Sequence, residues 1–87
     1  MIYCFDLDGT LCTNTNGKYA RATPYLERIK KVNQLYSDGN YIIINSARGS
    51  NTGINWYDTT EKQIKSWGIN FHELHVGRSN GRIHSRV

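Results

Sequence analysis

Asp6 and Asp8 place two carboxylates two residues apart, and Gly9 and Thr10 follow them directly. The apolar run Met1 to Phe5 precedes the pair, so the acids sit where a buried-type strand breaks into a glycine turn. The carboxyl end of such a strand is the edge at which open α/β sheets bind ligands. Two carboxylates in unequal environments can divide labour, one as nucleophile and one as proton donor. Gly9 allows a sharp turn, which lets the amides after Asp6 face an anion. A calcium loop does not fit. Counted from Asp6, the sixth position is Leu11 rather than glycine and the twelfth is Gly17 rather than glutamate.

The elements that must position this pair can be read from periodicity. Ile2 to Phe5 is apolar throughout and reads as a parallel strand covered on both faces, with Cys4 in the core. Thr13 to Tyr19 is rich in Thr, Asn and Gly and reads as a loop. Thr23 offers an N-cap and Pro24 a first helical position. Tyr25, Leu26, Ile29, Val32, Asn33 and Tyr36 then follow helical spacing with Leu35 beside them, and Asp38-Gly39-Asn40 stops the helix. Tyr41 to Ile44 is a second apolar, β-branched strand that ends at Asn45-Ser46-Ala47-Arg48-Gly49. Ser50 to Trp56 is a polar loop. Asp58 and Glu61 suggest a capping box for a helix through Trp67, with Gly68 as its stop. A third strand is centred on Phe71 to Val76. Strands alternating with helices imply right-handed crossovers and a parallel sheet.

A chain of 87 residues is one domain with a thin core. The net charge of +4 suits an anionic substrate such as a phosphate ester. Nucleic acid is not favoured, because no Lys/Arg block with interleaved aromatics marks a surface for it. Two cysteines without a secretory leader point to reduced thiols and a cytoplasmic protein. No apolar stretch approaches a membrane span, so no membrane partner is expected.

Asp6-Leu7-Asp8-Gly9-Thr10 directly after an N-terminal hydrophobic strand resembles motif I of the haloacid dehalogenase (HAD) superfamily. The wider run Ile2 to Cys12 is closest to the small capless phosphatases of capsular polysaccharide biosynthesis. The resemblance covers roughly residues 1–78. It implies a HAD-like, Rossmann-like parallel sheet with flanking helices and no cap domain, since Leu11 to Ala22 is too short for one. It also implies a magnesium-dependent phosphomonoester hydrolase. Asp6 would attack phosphorus to give an aspartyl-phosphate. Asp8 would protonate the leaving alkoxide and then take a proton from water, help worth about 10²–10⁴-fold. Mg²⁺ would be bound by the Asp6 carboxylate and the Asp8 backbone carbonyl. Ser46 resembles motif II, whose hydroxyl holds a phosphoryl oxygen. The Ala47 amide would add a donor, and Arg48 could bond phosphate with both arms of its fork. A phosphorylated sugar or polysaccharide precursor is the implied substrate, with a nucleic-acid 3′-phosphate as the alternative.

The family pattern continues with a lysine after Gly77-Arg78 and a strand ending in paired aspartates. This sequence has Ser79-Asn80-Gly81-Arg82-Ile83-His84-Ser85-Arg86-Val87, and no Asp or Glu follows Glu73. The core is therefore expected to be truncated after its third strand, with 79–87 a polar, basic tail. A non-catalytic domain that binds phosphate or a partner subunit is the rival reading. A fourth strand would pair beside the first. Without it, Met1 to Asp6 is an open edge through which copies could associate. His72, Glu73 and His75 do not make a metal cluster, since His72 points away from the other two. Tyr19, Trp56 and Tyr57 lie in or beside the loops over the site and could stack on a sugar or base, though core or loop packing is their commoner role.

Overall fold

The computed structural model describes residues 1–50 and 53–77. Three parallel strands, β1 (Ile2–Asp6), β2 (Tyr41–Ser46) and β3 (Glu73–Val76), form a sheet in the order β1-β2-β3. Helix α1 (Leu26–Ser37) links the first two strands and α2 (Tyr57–Ser66) links the last two. The chain is thus a small α/β domain with a parallel sheet and flanking helices, compatible with a Rossmann-like fold.

Register decides which residues share a face. Tyr3 and Phe5 pair with Ile42 and Ile44, and Ile44 pairs with Leu74. These residues point to one side, because strand side chains alternate. Ile29 and Val32 of α1 and Ile64 of α2 bury into the cluster built there with Leu7, Leu11 and Ile69. The turns after both helices form at the expected glycines, Gly39 (φ +94°) and Gly68 (φ +77°). Asn33 ties α1 to the second of these turns: it donates to the Gly68 carbonyl at 2.8 Å and accepts from the Asn70 N–H at 2.8 Å.

Several sequence expectations are corrected. Cys4 is exposed, not core, and β1 is covered on one face only. It is an edge strand among the described residues, and Ile2, Cys4 and Asp6 face away from the helices. Helix α1 begins at Leu26 with Tyr25 as N-cap, not at Thr23-Pro24. Thr23 and Pro24 are engaged elsewhere. The Thr23 carbonyl accepts from Thr13 N–H at 2.9 Å, and Pro24 bridges to Cys12. The apolar face accordingly starts at Ile29, and Leu26 is 68% exposed. The Asp58–Glu61 capping box is absent. Instead Asn55 Oδ1 accepts the Tyr57 N–H at 2.9 Å, and Asp58 sits in the first turn, where a negative charge complements the helix dipole. The loop before α1 contains an unexpected 3-10 turn, Tyr19–Arg21.

β3 is shorter than Phe71 to Val76 because His72 substitutes a side chain for a ladder bond. Its Nδ1 accepts from Ile42 N–H at 3.0 Å, and its ring stacks between Tyr36 and Tyr41. His75 does contact Glu73, at 2.9 Å, so the two histidines diverge as expected. The expected tail, 79–87, and Arg78 lie outside the described residues. Among the described residues no helix is long and apolar enough to cross a membrane.

Candidate functional site

Asp6 ends β1 and pairs in register with Asn45, one residue before Ser46. Both strand ends therefore open on the same edge of the sheet. The loop after Asp6 is built on a single acceptor: the Leu7 carbonyl takes N–H bonds from Thr10, Leu11 and Cys12, at 3.2, 2.8 and 3.2 Å. Leu7 and Leu11 anchor this loop in the core, and Gly9 turns it at φ +86°. Asp6, Asp8, Ser46, Ala47 and Arg48 all line one cavity of about 710 Å³ at this edge. The five expected site residues thus come together.

Their states differ. The Asp6 carboxylate has no hydrogen-bond or ion-pair partner among the described residues and is exposed at the cavity mouth. Asp8 is held tightly. Its Oδ1 accepts from Arg48 Nη2 at 2.8 Å and its Oδ2 from Arg48 Nε at 2.9 Å. The Cys12 thiol also donates to Oδ1, at 3.5 Å. Burial, with the Asp8 carboxylate alongside, pushes that thiol up to about 12. Ser46 is buried, and its hydroxyl oxygen accepts from Arg48 N–H at 3.2 Å, leaving its proton free to donate. The backbone N–H groups of Asp8 and Ala47 meet no acceptor among the described residues.

Arg48 is not placed as the sequence reading had it. Its side chain is fully buried, and its remaining Nη1 donates to Gln63 Oε1 at 2.7 Å and Thr60 Oγ1 at 3.3 Å. The Tyr19 ring covers the guanidinium, 4.6 Å from its centroid. A fork bound this way on both arms orients Asp8 and is spent within the protein. Of the residues that cradle it, Tyr19 was expected beside the site, where it packs on the guanidinium, whereas Thr60 and Gln63 were missed from sequence. The available signal was polar: Thr60 and Gln63 flank Ile64 on the buried stripe of α2, and a polar residue there implies a buried partner.

Asp6 and Asp8 both line the cavity, and neither the Asp6 carboxylate nor the Asp8 carbonyl accepts a hydrogen bond among the described residues. Two hard oxygen donors fit a magnesium ion that keeps most of its water shell. Among the described residues no group of three or more His, Cys, Asp or Glu is gathered to hold an ion more fully.

No protein-family model matches this chain, and no curated protein does. Among solved structures, the crystal structure of an MCSG target from Vibrio cholerae superposes with a TM-score of 0.79. The match covers 88% of this chain and 69% of that one, at 24% identity. The likeness is one of fold.

Proposed function

We propose that this chain is a HAD-type, magnesium-dependent phosphomonoester hydrolase that works through an aspartyl-phosphate on Asp6. One observation carries the reading. An unpartnered carboxylate stands beside free donors, the Ser46 hydroxyl and the Asp8 and Ala47 N–H groups, at the mouth of a cavity wide enough for a phosphate ester. Free backbone N–H groups and a hydroxyl are what a phosphoryl group needs where its charge develops.

In the first step an Asp6 carboxylate oxygen attacks phosphorus, the bond from phosphorus to the leaving oxygen breaks, and a proton from Asp8 neutralises the leaving alkoxide. In the second, water attacks the same phosphorus and gives its proton to Asp8, and the acyl-phosphate bond breaks to restore Asp6. Asp8 Oδ2 accepts only from Arg48 Nε, which leaves one lone-pair direction for that proton. Arg48 fixes the direction in which it is offered. Mg²⁺ bound by the Asp6 carboxylate and the Asp8 carbonyl would offset repulsion between carboxylate and phosphate. A phosphorylated sugar or polysaccharide precursor is the substrate class that the motif resemblance implies.

The test is hydrolysis of an aryl phosphate by the full chain with and without Mg²⁺. Magnesium-dependent release of phosphate that is abolished by Asp6→Asn is the expected result. Phosphate binding without turnover would favour the non-catalytic rival.

A further inference from the structure

As acid and then base, Asp8 changes charge twice in each turnover, whereas its partner Arg48 never does. While Asp8 carries its proton, a fully buried guanidinium stands without an ionised partner at its Nε and Nη2. A buried charge left uncompensated is strongly unfavourable. That cost falls on the proton Asp8 must hold. Whatever else holds Arg48 therefore bears on the acid. Among the described residues the other charged or titratable groups near Asp8 are few. The Cys12 thiol lies on its own loop, Asp6 at the end of β1 lines the same cavity, and Tyr19 comes from the loop before α1. From α1, Arg28 reaches this loop by donating to the Thr10 carbonyl at 2.9 Å. The α2 helix brings Thr60 and Gln63, neither of which titrates.

Gln63 has the shortest bond to Arg48, with Oε1 2.7 Å from Nη1, against 3.3 Å for Thr60 Oγ1. Its hold does not depend on the charge of Asp8. The carboxamide is also fixed from its far end, where Nε2 donates to the Tyr19 carbonyl at 2.7 Å. That bond decides which end of the amide faces Arg48, since a flipped amide would turn donors towards a group that only donates. Tyr19 is fixed in turn. Its ring lies on the guanidinium at 4.6 Å and meets Trp56 edge to face at 4.9 Å. Gly49, at φ +83°, leaves room for this packing: a Cβ there would collide with the Ile54 carbonyl and come within 2.8 Å of the indole. A chain of contacts thus runs from the Tyr19 backbone through Gln63 and Arg48 to Asp8.

Resting on the reading of Asp8 as acid and base, we infer that Gln63 is a positioning residue for the reaction. It supplies the neutral acceptor that holds Arg48 while Asp8 is protonated. Gln63 is not among the residues that line the cavity, so it acts through Arg48 and not on substrate. Without its carbonyl dipole the guanidinium depends more on the carboxylate, and Asp8 gives up its proton at lower pH.

Titration of the Asp8 side-chain carboxyl by ¹³C NMR in the full chain reads this without substrate. Gln63→Met keeps the length of the side chain and removes both polar ends. It should move the Asp8 midpoint to lower pH by about half a unit. Thr60→Val, which keeps its shape and loses the longer bond, should move the midpoint the same way by less. An Asp8 midpoint unmoved or raised in Gln63→Met overturns the inference. Should that variant not fold, Thr60→Val decides, and a midpoint at or above wild type overturns it. Turnover gives the second readout. With an alkyl phosphate, whose leaving oxygen needs the proton, the alkaline limb of kcat should move down with the midpoint. KM should stay within about two-fold of wild type. The phosphatase reading fails separately. A shifted Asp8 midpoint in a chain that never hydrolyses a phosphate ester keeps the role of Gln63 and loses the reaction. Hydrolysis whose alkaline limb stays in place in Gln63→Met keeps the reaction and loses that role.

Discussion

Removing Asp8 should destabilise this protein more than removing Arg48, and replacing both should be milder than removing Asp8 alone. Asp8 keeps 18% of its side chain exposed, whereas Arg48 keeps none. In Asp8→Ala a guanidinium stays buried and loses both bonds to the carboxylate, keeping Thr60, Gln63, a long 3.9 Å bond from Nη2 to Cys12 Sγ and the Tyr19 face. Breaking a buried pair so that a charge is left uncompensated costs about 3–5 kcal/mol. In Arg48→Met the orphaned carboxylate can turn to water, and Gln63 still donates to the Tyr19 carbonyl at 2.7 Å. The cost there is nearer the ~1–3 kcal/mol of unsatisfied polar groups. In the double variant no buried charge remains and the methionine fills part of the space. Urea unfolding followed by circular dichroism reads all three. With a slope of about 1–1.5 kcal/mol per M for so short a chain, Asp8→Ala should lower the midpoint by about 2 M or more. Adding Arg48→Met should raise it again. An Asp8→Ala midpoint within about 0.5 M of wild type, or a double variant no better than Asp8→Ala, would refute the view of Arg48 as a buried charge held by Asp8.

Cys12 gives a pH dependence. Its thiol ionises near 9 in the unfolded chain and near 12 in the folded one, so the folded state holds the proton more tightly. That contribution to stability is complete below about 9 and is lost as pH rises towards about 12. Stability measured across this window should fall, and Cys12→Ser should fall less. The exposed Cys4 should alkylate in the folded protein while Cys12 waits for unfolding. Gly49→Ala should cost more than the ~1–3 kcal/mol of left-handed strain alone, because it also displaces Trp56. Gly17→Ala, at φ +96° with open space around it, should cost only the strain, and thermal melts of the two variants compare them directly. Magnesium should bind weakly, because only the Asp6 carboxylate and the Asp8 carbonyl are offered to it. Calorimetric titration giving a low-micromolar constant would mean a ligand that these residues do not supply.

The site was more legible than its wiring. Asp6, Asp8, Ser46 and Ala47 could be placed together from sequence because each lies at the end of an apolar run, and parallel strands open their carboxyl ends on one edge. The helix stops at Gly39 and Gly68 were equally plain, since a left-handed turn demands glycine. The helix starts were not. Thr23 looks like a cap by type, but its backbone is spent pairing with Thr13, a contact ten residues away that local pattern does not encode. The same limit hid Arg48. A basic residue in a glycine-bounded loop beside a phosphate motif reads as a substrate ligand, and only the packing of α2 shows that Thr60 and Gln63 take its second arm. Cys4 was misplaced because an apolar edge strand looks like a central one until the sheet order is known.

Acid-quenched single turnover followed by peptide mass spectrometry tests the nucleophile most directly. The full chain, mixed with excess aryl phosphate and Mg²⁺ and stopped within one turnover, should carry a hydroxylamine-labile phosphoryl group on the peptide containing Asp6. Asp6→Asn should carry none. Turnover at the wild-type rate with no phosphoryl group on that peptide, or hydrolysis that survives Asp6→Asn, would contradict Asp6 as the group that attacks phosphorus.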